Sequence, residues 1–437
     1  MTATGAVWRN WARTEHATPL RVERPRSTAA VQRAVRAAAG SGIPIKAVGA
    51  GHSFTGIAVT TGVQLALDDL SGMIGRPTAD GRASFYAGTR LHEIPRLLAP
   101  YGLAMTNLGD IDRQSIAGAI STGTHGTGST FGGLATQVRG VTLITGDGEM
   151  MRIDEDDNSE LLPAVALGLG ALGIIAEVTL ACVPRFLIQA EERAAPLEDV
   201  LDTVAERAAS VDHFEFFWFP HTSTALTKTN TRLPLTSRRK PLPVLKRWVD
   251  DTLLANGLYR ATCFAGTLLP PLIPPVNRMA EKLTGNRSFT DISHRVFTTK
   301  RTVRFREMEY ALPAENVATA VREIEALIAK KRWRISFPIE VRFTAADDLW
   351  LSTAYERATG YIAVHRYVHE NPARYFQAVE EILLGLGGRP HWGKMHTLDA
   401  ASLGGLYPRF DDFLAARERL DPRRLLTNPY LNRVLGA

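Results

Sequence analysis

The hexapeptide GAGHSF at 49–54 restricts the fold more than any other stretch of the chain. Ile43, Ile45, Ala47 and Val48 just before it form a short apolar run of strand character, so Gly49 and Gly51 fall where a strand ends and the chain must turn sharply. Glycine there lets the main chain come close to a ligand, and peptide N–H groups in such a turn cradle phosphate. His52 sets a nucleophilic imidazole in the same turn. The pattern predicts a cofactor loop at the end of a strand.

A second glycine-rich segment, QSIAGAISTGTHGTG at 114–128, interleaves Gly118, Gly123, Gly126 and Gly128 with Ser115, Ser121, Thr122, Thr124 and Thr127. It has many neutral donors and no run of lysines beside it. Such a loop suits a buried pyrophosphate held by main-chain N–H groups and hydroxyls. The P-loop pattern GxxxxGK[ST] is absent, which sets aside an ATPase.

A chain of 437 residues holds two or three domains and has interior for a large cofactor. With 45% hydrophobic and 22% charged residues it reads as a soluble globular protein. The formal charge of +6 is dispersed over groups such as Arg238–Arg239–Lys240 and Lys330–Lys331–Arg332 without interleaved aromatics, so no nucleic-acid partner is expected. Cys182 and Cys263 are too few for a disulfide scaffold and too far apart for a metal knuckle, and no metal is expected. The N-terminal stretch has no apolar signal region, and the longest apolar run, Ala164 to Ala176, is shorter than the ~20 residues of a membrane helix. A cytoplasmic location is the expectation.

Ser27 and Thr28 precede an alanine-rich helical segment with Gly40 as its expected stop, and strands follow at Val63–Leu67, Ala83–Ala87 and Val138–Thr145. Residues 1–185 therefore read as an α+β cofactor domain. GLGALG at 168–173 matches GxGxxG, but an apolar helical stretch precedes it and a strand-like run follows. That order is the reverse of a Rossmann fingerprint, so the segment reads as a tight helix-to-strand turn against the cofactor. After Pro184 strand patterns at His213–Phe219, Thr302–Leu312, Ile335–Phe343 and Tyr361–Val368 alternate with helices at Leu197–Ala209, Ala314–Lys331 and from Pro372 to Leu386. Residues 186–437 are expected to form an α+β cap on an antiparallel sheet, its C-terminal segment returning to the cofactor. The proline-rich piece LLPPLIPPV at 268–276 is expected to be a loop.

In PIEVRF at 338–343, strand alternation puts Glu340 and Arg342 on one face. Facing a cavity, the pair is suited to grip a polyhydroxylated substrate; facing each other, it is a structural ion pair. His365 and His369 on a strand lie about 13 Å apart, too far to share one metal ion. RPHWGKMHTL at 389–398 gathers His391, Trp392, Lys394 and His396 in a loop, where site residues often sit.

Over nearly the whole chain and in this order, GAGHSF, SIAGAISTGTHGTG, EMEYALP at 307–313, PIEVRF and HWGK resemble the vanillyl-alcohol-oxidase-type flavoproteins. Within them the likeness is to the aldonolactone subgroup of L-gulono-1,4-lactone oxidases and dehydrogenases, with D-arabinono-1,4-lactone oxidase and alditol oxidase as relatives. The resemblance implies FAD, a two-part FAD-binding domain of the PCMH type and oxidation of a sugar lactone or, alternatively, an alditol. His52 matches the histidine that in many members bonds to the flavin 8α-methyl carbon. Ala47, Val48, Gly49, Ala50, Gly51 and Ser53 match the pyrophosphate loop. Ser115, Gly118, Gly123, Thr124, His125 and Gly126 match the second FAD-binding segment, and Ile175 a backbone contact after it. Glu340, Arg342 and Lys394 match catalytic positions, with Ser115, His365 and Tyr367 among those that bind substrate. An alditol-type relative has Thr where this chain has Tyr367, two residues after His365, and the larger ring weakens a direct transfer of acyclic polyol specificity. Gly109 falls where a small residue admits oxygen to the flavin; oxygen or another redox acceptor completes the expected partners.

Overall fold

The computed structural model describes residues 6–243, 259–283, 286–299 and 301–437. Strand β1 (Arg21–Glu23) leads into helix α1 (Thr28–Ser41), whose N-cap Ser27 accepts the Ala30 N–H at 3.2 Å. Val31, Ala34, Val35, Ala38 and Ala39 recur at helical spacing and are buried. The helix ends on Gly42, not Gly40, because Gly42 takes the left-handed conformation (φ +63°) and its N–H caps the carbonyls of Ala38 and Ala39. Strand β2 (Ile45–Val48) then runs parallel to β3 (Val63–Ala66), which also pairs with β1. The cofactor loop leaves the end of β2.

A second, antiparallel sheet follows. It contains β4 (Arg82–Tyr86), β5 (Val138–Ile144), β6 (Met150–Asp154) and β7 (Ile174–Pro184) in the order β6-β5-β7-β4. Helix α2 (Ile116–Ser121) inserts between β4 and β5 in the chain and carries the second glycine-rich segment. The GLGALG stretch is the predicted turn, with the short helix Leu162–Val165 before it and β7 after it. Gly173 passes so close to Leu143 that a Cβ would collide with that side chain.

The chain leaves this sheet at Pro184 and enters another at Phe186. Strand β8 (Phe186–Pro196) is followed by helices α3 (Leu197–Asp202) and α4 (Val204–Ala209), which break at Thr203 where one continuous helix was expected. β9 (His213–Trp218), β10 (Thr224–Pro234), β11 (Arg287–Ile292), β12 (Phe305–Pro313), β13 (Ile339–Thr344) and β14 (Thr359–Tyr367) complete an antiparallel sheet ordered β11-β8-β10-β9-β13-β14-β12. The proline-rich piece is not a loop. It spans the end of a helix at Tyr259–Leu268, a 3-10 turn at Pro270–Leu272 and the start of another helix at Ile273–Leu283. Its prolines sit in first turns, where the missing N–H leaves no helical bond unmade.

One face of the large sheet is apolar. Phe216, Val341, Ile362 and Tyr310 stand side by side across β9, β13, β14 and β12, and helices α5 (Val317–Lys331) and α6 (Ala373–Gly385) cover them with Val321, Ile324, Val379 and Leu383. Burying each such side chain stabilises the fold by ~1.5–3 kcal/mol. The C-terminal helices α7 (Ala400–Gly404), α8 (Phe410–Leu420) and α9 (Pro429–Leu435) return to the first core, where Leu403, Phe413, Leu431 and Val434 pack with Val35 and Ile45. Among the described residues, no helix is long and apolar enough to cross a membrane.

Candidate active site

Beside the end of β2 opens a cleft. Ala47, the Gly49–Ser53 loop, Ser115, Gly118, Gly170 and Ile175 line it. The main chain comes close here by necessity: a Cβ on Gly49 would collide with Ser115 Oγ, and Gly51 has φ +66°. Ser115 is the N-cap of α2, its Oγ accepting the Gly118 N–H at 3.4 Å. Lys46 also lines the cleft, but its Nζ donates to the carbonyls of Gly170 (2.8 Å) and Leu426 (3.0 Å). Apart from Lys46 and His52, the polar side chains on the walls are the neutral Ser53, Thr55, Gln114, Ser115, Ser121 and Thr122, a donor set that fits an extended dinucleotide such as FAD.

His52 faces this cleft with its ring stacked on Trp11 at 5.8 Å. Burial, with added repulsion from Arg90, Lys394 and Arg113, pushes its pKa down to about 4. The imidazole is neutral at neutral pH, the form in which a ring nitrogen is a nucleophile.

The face of the large sheet opposite its apolar core is polar. Register places Lys228 of β10, Glu215 of β9, Arg342 of β13 and Tyr361 of β14 in one row, and Glu340, Ala363 and Glu309 in the next. Arg342 Nε donates to Glu215 at 2.9 Å and Lys228 Nζ lies 3.0 Å from the same carboxylate. Arg342 also touches Glu340 through the carboxylate Oε1, so the predicted pair is an ion pair on the polar face. Burial raises the Glu340 pKa against the attraction of Arg342 and Arg301. Burial works against the Arg342 charge too, yet Glu340, Glu215 and Asp110 hold its pKa above the ordinary arginine value.

The HWGK loop closes the site. Its Trp392 is buried with Nε1 donating to the Leu351 carbonyl at 2.8 Å, and the Gly393 carbonyl accepts the Phe54 N–H at 2.7 Å. That bond ties the loop to the cofactor loop. Lys394 Nζ thereby sits over the Phe54 ring, 5.4 Å from its centroid, in contact with Glu307 and 3.9 Å from Glu309.

Other expected site residues are distributed differently. Val48 is buried and, with Gly123, Thr124, His125 and Gly126, does not line the main cleft. His125 belongs instead to the polar face of the sheet: it stacks on Tyr361 at 3.6 Å and places Nε2 3.5 Å from Glu309. Thr124 Oγ1 accepts from Gln114, and Gly123 borders a smaller cavity behind Trp392. Ser115 lies in the cofactor cleft rather than among the sheet residues. His365 joins the polar face, 3.5 Å from Glu307, whereas Tyr367 packs with Phe305, Phe337 and Cys263 in an apolar cluster. Gly109 abuts the His125 carbonyl, 2.9 Å from where a Cβ would lie, so close packing alone requires glycine there.

Glu215, Lys228, Glu307 and Glu309 were absent from the expected site. Their signal was present in part: Glu307 and Glu309 alternate with apolar residues in EMEY, a strand pattern with charge on the inward face. His125, Glu309 and His391 bring ligand atoms within 4.8 Å of one another, a donor set that zinc accepts. The Lys394 ammonium already balances Glu309, and a divalent ion beside it would meet strong repulsion. The three are better described as part of an ion-pair network.

Two family models match the chain, an FAD binding domain over residues 19–154 and D-arabinono-1,4-lactone oxidase over residues 178–434. Together with the cleft they define the protein as an FAD-linked oxidoreductase. L-gulono-1,4-lactone dehydrogenase of Mycobacterium tuberculosis is 40% identical over 430 residues, covering 98% of this chain and 99% of that protein. L-gulonolactone oxidase of Bos taurus is 32% identical (98% of each chain), and alditol oxidase of a Streptomyces species 31% (98% and 99%). The chain belongs to the D-arabinono-1,4-lactone oxidase family of flavoproteins. Cholesterol oxidase from B. sterolicum shares its fold, with a TM-score of 0.83 over 100% of this chain and 97% of that one at 17% identity.

Proposed function

We propose that the protein oxidises an aldonolactone of the L-gulono-1,4-lactone type at an alcohol carbon, C2 of the lactone, in the space between the FAD cleft and the polar sheet face. The observation that carries this reading is the tie between the HWGK loop and the cofactor loop, which puts Lys394 beside Phe54 and within the same charged network as Arg342 and Glu340. FAD, when bound, supplies the acceptor for the hydride that leaves the alcohol carbon. Arg342 donates to the substrate oxygen and stabilises the negative charge that develops as the C–H bond breaks. Glu340, a buried carboxyl paired with Arg342, orients the hydroxyl and relays its proton. Lys394 holds positive charge at the cofactor. His52, neutral and stacked, is the residue placed to bond covalently to the flavin.

The test is anaerobic mixing of the purified holoprotein with L-gulono-1,4-lactone, with xylitol in parallel, while flavin absorbance is followed. Fast bleaching by the lactone is expected. Bleaching by xylitol alone would move the assignment to alditol oxidation, the reading favoured by the alditol oxidase relative. Admitting air then identifies the acceptor: recolouring marks oxygen, persistent bleaching another oxidant. Flavin that stays in solution after acid denaturation would refute the covalent link to His52.

A further inference from the structure

The two glutamates of EMEYALP lie among the charged residues of the polar face. Glu307 and Glu309 are two residues apart on β12 and so project from the same, polar face. The HWGK loop runs along this strand. The His391 N–H donates to the Glu309 carbonyl at 3.0 Å and the Met395 N–H to the Glu307 carbonyl at 2.9 Å, so Lys394 hangs between two main-chain anchors. Its ammonium meets the Glu307 carboxylate directly and lies 3.9 Å from that of Glu309. Each carboxylate is backed by a histidine: His365 Nε2 is 3.5 Å from Glu307 and His125 Nε2 is 3.5 Å from Glu309. Both rings are oriented through Nδ1, which lies 3.0 Å from the Pro338 carbonyl and 2.8 Å from that of Gly126. The strand thus grips the loop by backbone and by charge at once.

We propose that Glu307 is a positioning residue that fixes Lys394 as an ammonium against the cofactor, and that this pair sets the alkaline limit up to which the bound flavin keeps its potential. The inference deepens the proposed function and rests on its placing of Lys394 at the flavin. A buried lysine by itself sheds its proton readily, since burial disfavours the charged form. Burial is the largest influence on Lys394 and lowers its pKa, yet Glu307 and then Glu309 outweigh it and hold the value above that of a free lysine. The other groups facing Lys394 contribute less. Glu340 of β13 attracts it only when ionised, and burial makes that carboxyl harder to ionise. His391 on its own loop and His52 on the cofactor loop are both pushed down to about 4, so neither repels it at neutral or alkaline pH. The charge on Lys394 is decided first by Glu307. The same pairing brings the Glu307 pKa down, with Lys394 and His365 prevailing over burial, so the carboxylate is ionised throughout the range in question.

The experiment is the midpoint potential of the bound flavin against pH, measured by dye-equilibrated reduction of the holoprotein, which needs no substrate. In the wild type the potential should fall more steeply once Lys394 loses its proton at alkaline pH. Glu307→Gln is expected to move that break about 1–3 pH units lower, the effect of removing an opposite charge in contact. Glu307→Asp should restore most of the shift, because it keeps the charge with a shorter reach. Lys394→Arg should remove the break, since arginine keeps its proton. A Glu307→Gln break at the wild-type pH, with Lys394→Arg altered, overturns the inference. A Lys394→Arg curve identical to wild type overturns the placing of Lys394 at the flavin and the inference with it. Loss of FAD from Glu307→Gln together with Glu307→Asp would show a structural role instead.

Discussion

The two faces of the large sheet are built from the same strands and differ in every physical respect. In β13, Ile339, Val341 and Phe343 point into a core covered by α5 and α6, while Glu340 and Arg342 point to the cofactor side. Both faces are buried. On the apolar one, burial stabilises directly through removal of hydrocarbon from water. On the polar one, Lys228, Glu215, Arg342, Glu340, Glu307, Glu309 and Lys394 are charges taken out of water, and their attraction does little more than offset that loss. Stability therefore resides on one face, and the other is the face to which we assign the chemistry. The alternation of a strand makes the division all or none, since a slip of one residue would exchange the faces.

The comparison can be broken most forcefully from the apolar side. Phe216→Ala, opposite Val341 in register, should lower the unfolding free energy by ~3–5 kcal/mol, read as a fall in midpoint in denaturant, while turnover per folded molecule stays near wild type. An equal loss of turnover in the folded fraction would mean the two faces are not separable. Arg342→Ala should act mainly on turnover. Loss of one transition-state donor raises the barrier by ~3 kcal/mol, roughly a 100-fold drop in kcat/KM, with FAD retained and Lys228 still pairing Glu215. If Arg342→Ala instead releases the flavin, the residue is structural.

Glu340 sharpens the comparison further through pH. Its pKa is raised by burial, so as the proton-relaying group it should impose an acid limb on kcat/KM centred above 4.5, the value of an ordinary glutamate. Glu340→Gln should flatten that limb as well as lower the rate. A further pH effect is expected at His52. In the fold it takes a proton only near pH 4, whereas the unfolded chain takes one near 6.5. Between those values the unfolded state binds more protons, so stability falls on acidification from pH 6.5 to 4 and is unaffected above. The apoprotein of His52→Ala should lose less stability across that window than the wild-type apoprotein, measured by thermal melts at each pH.

Much of this arrangement was legible in the chain. The α1 cap at Ser27, the strand before Gly49, the reversed order around GLGALG and the shared face of Glu340 and Arg342 all follow from local rules of capping, turn chemistry and alternation. Boundaries that depend on which glycine turns left-handed, such as Gly42 over Gly40, did not follow, because either residue permits the stop. The prolines at 270–275 read as a loop for the same reason: proline marks a break and a first helical turn alike. His125 shows a different limit. Its neighbours in sequence line up with an FAD segment, yet its ring turns away to stack on Tyr361, a residue more than two hundred positions on.

Sequence alone determined what is local: a glycine turn carrying His52, a strand carrying Glu340 and Arg342, a loop carrying Lys394, and the class of cofactor these motifs serve. Each depends on neighbours a few residues away, within reach of backbone geometry and side-chain period. The tertiary structure decided who meets whom. Only when β12 lies beside β14 and receives the HWGK loop does Glu307 find Lys394 and His365. That encounter sets the charge of each partner, because the energy of a buried ion depends on what opposes it across space and not on what precedes it in the chain.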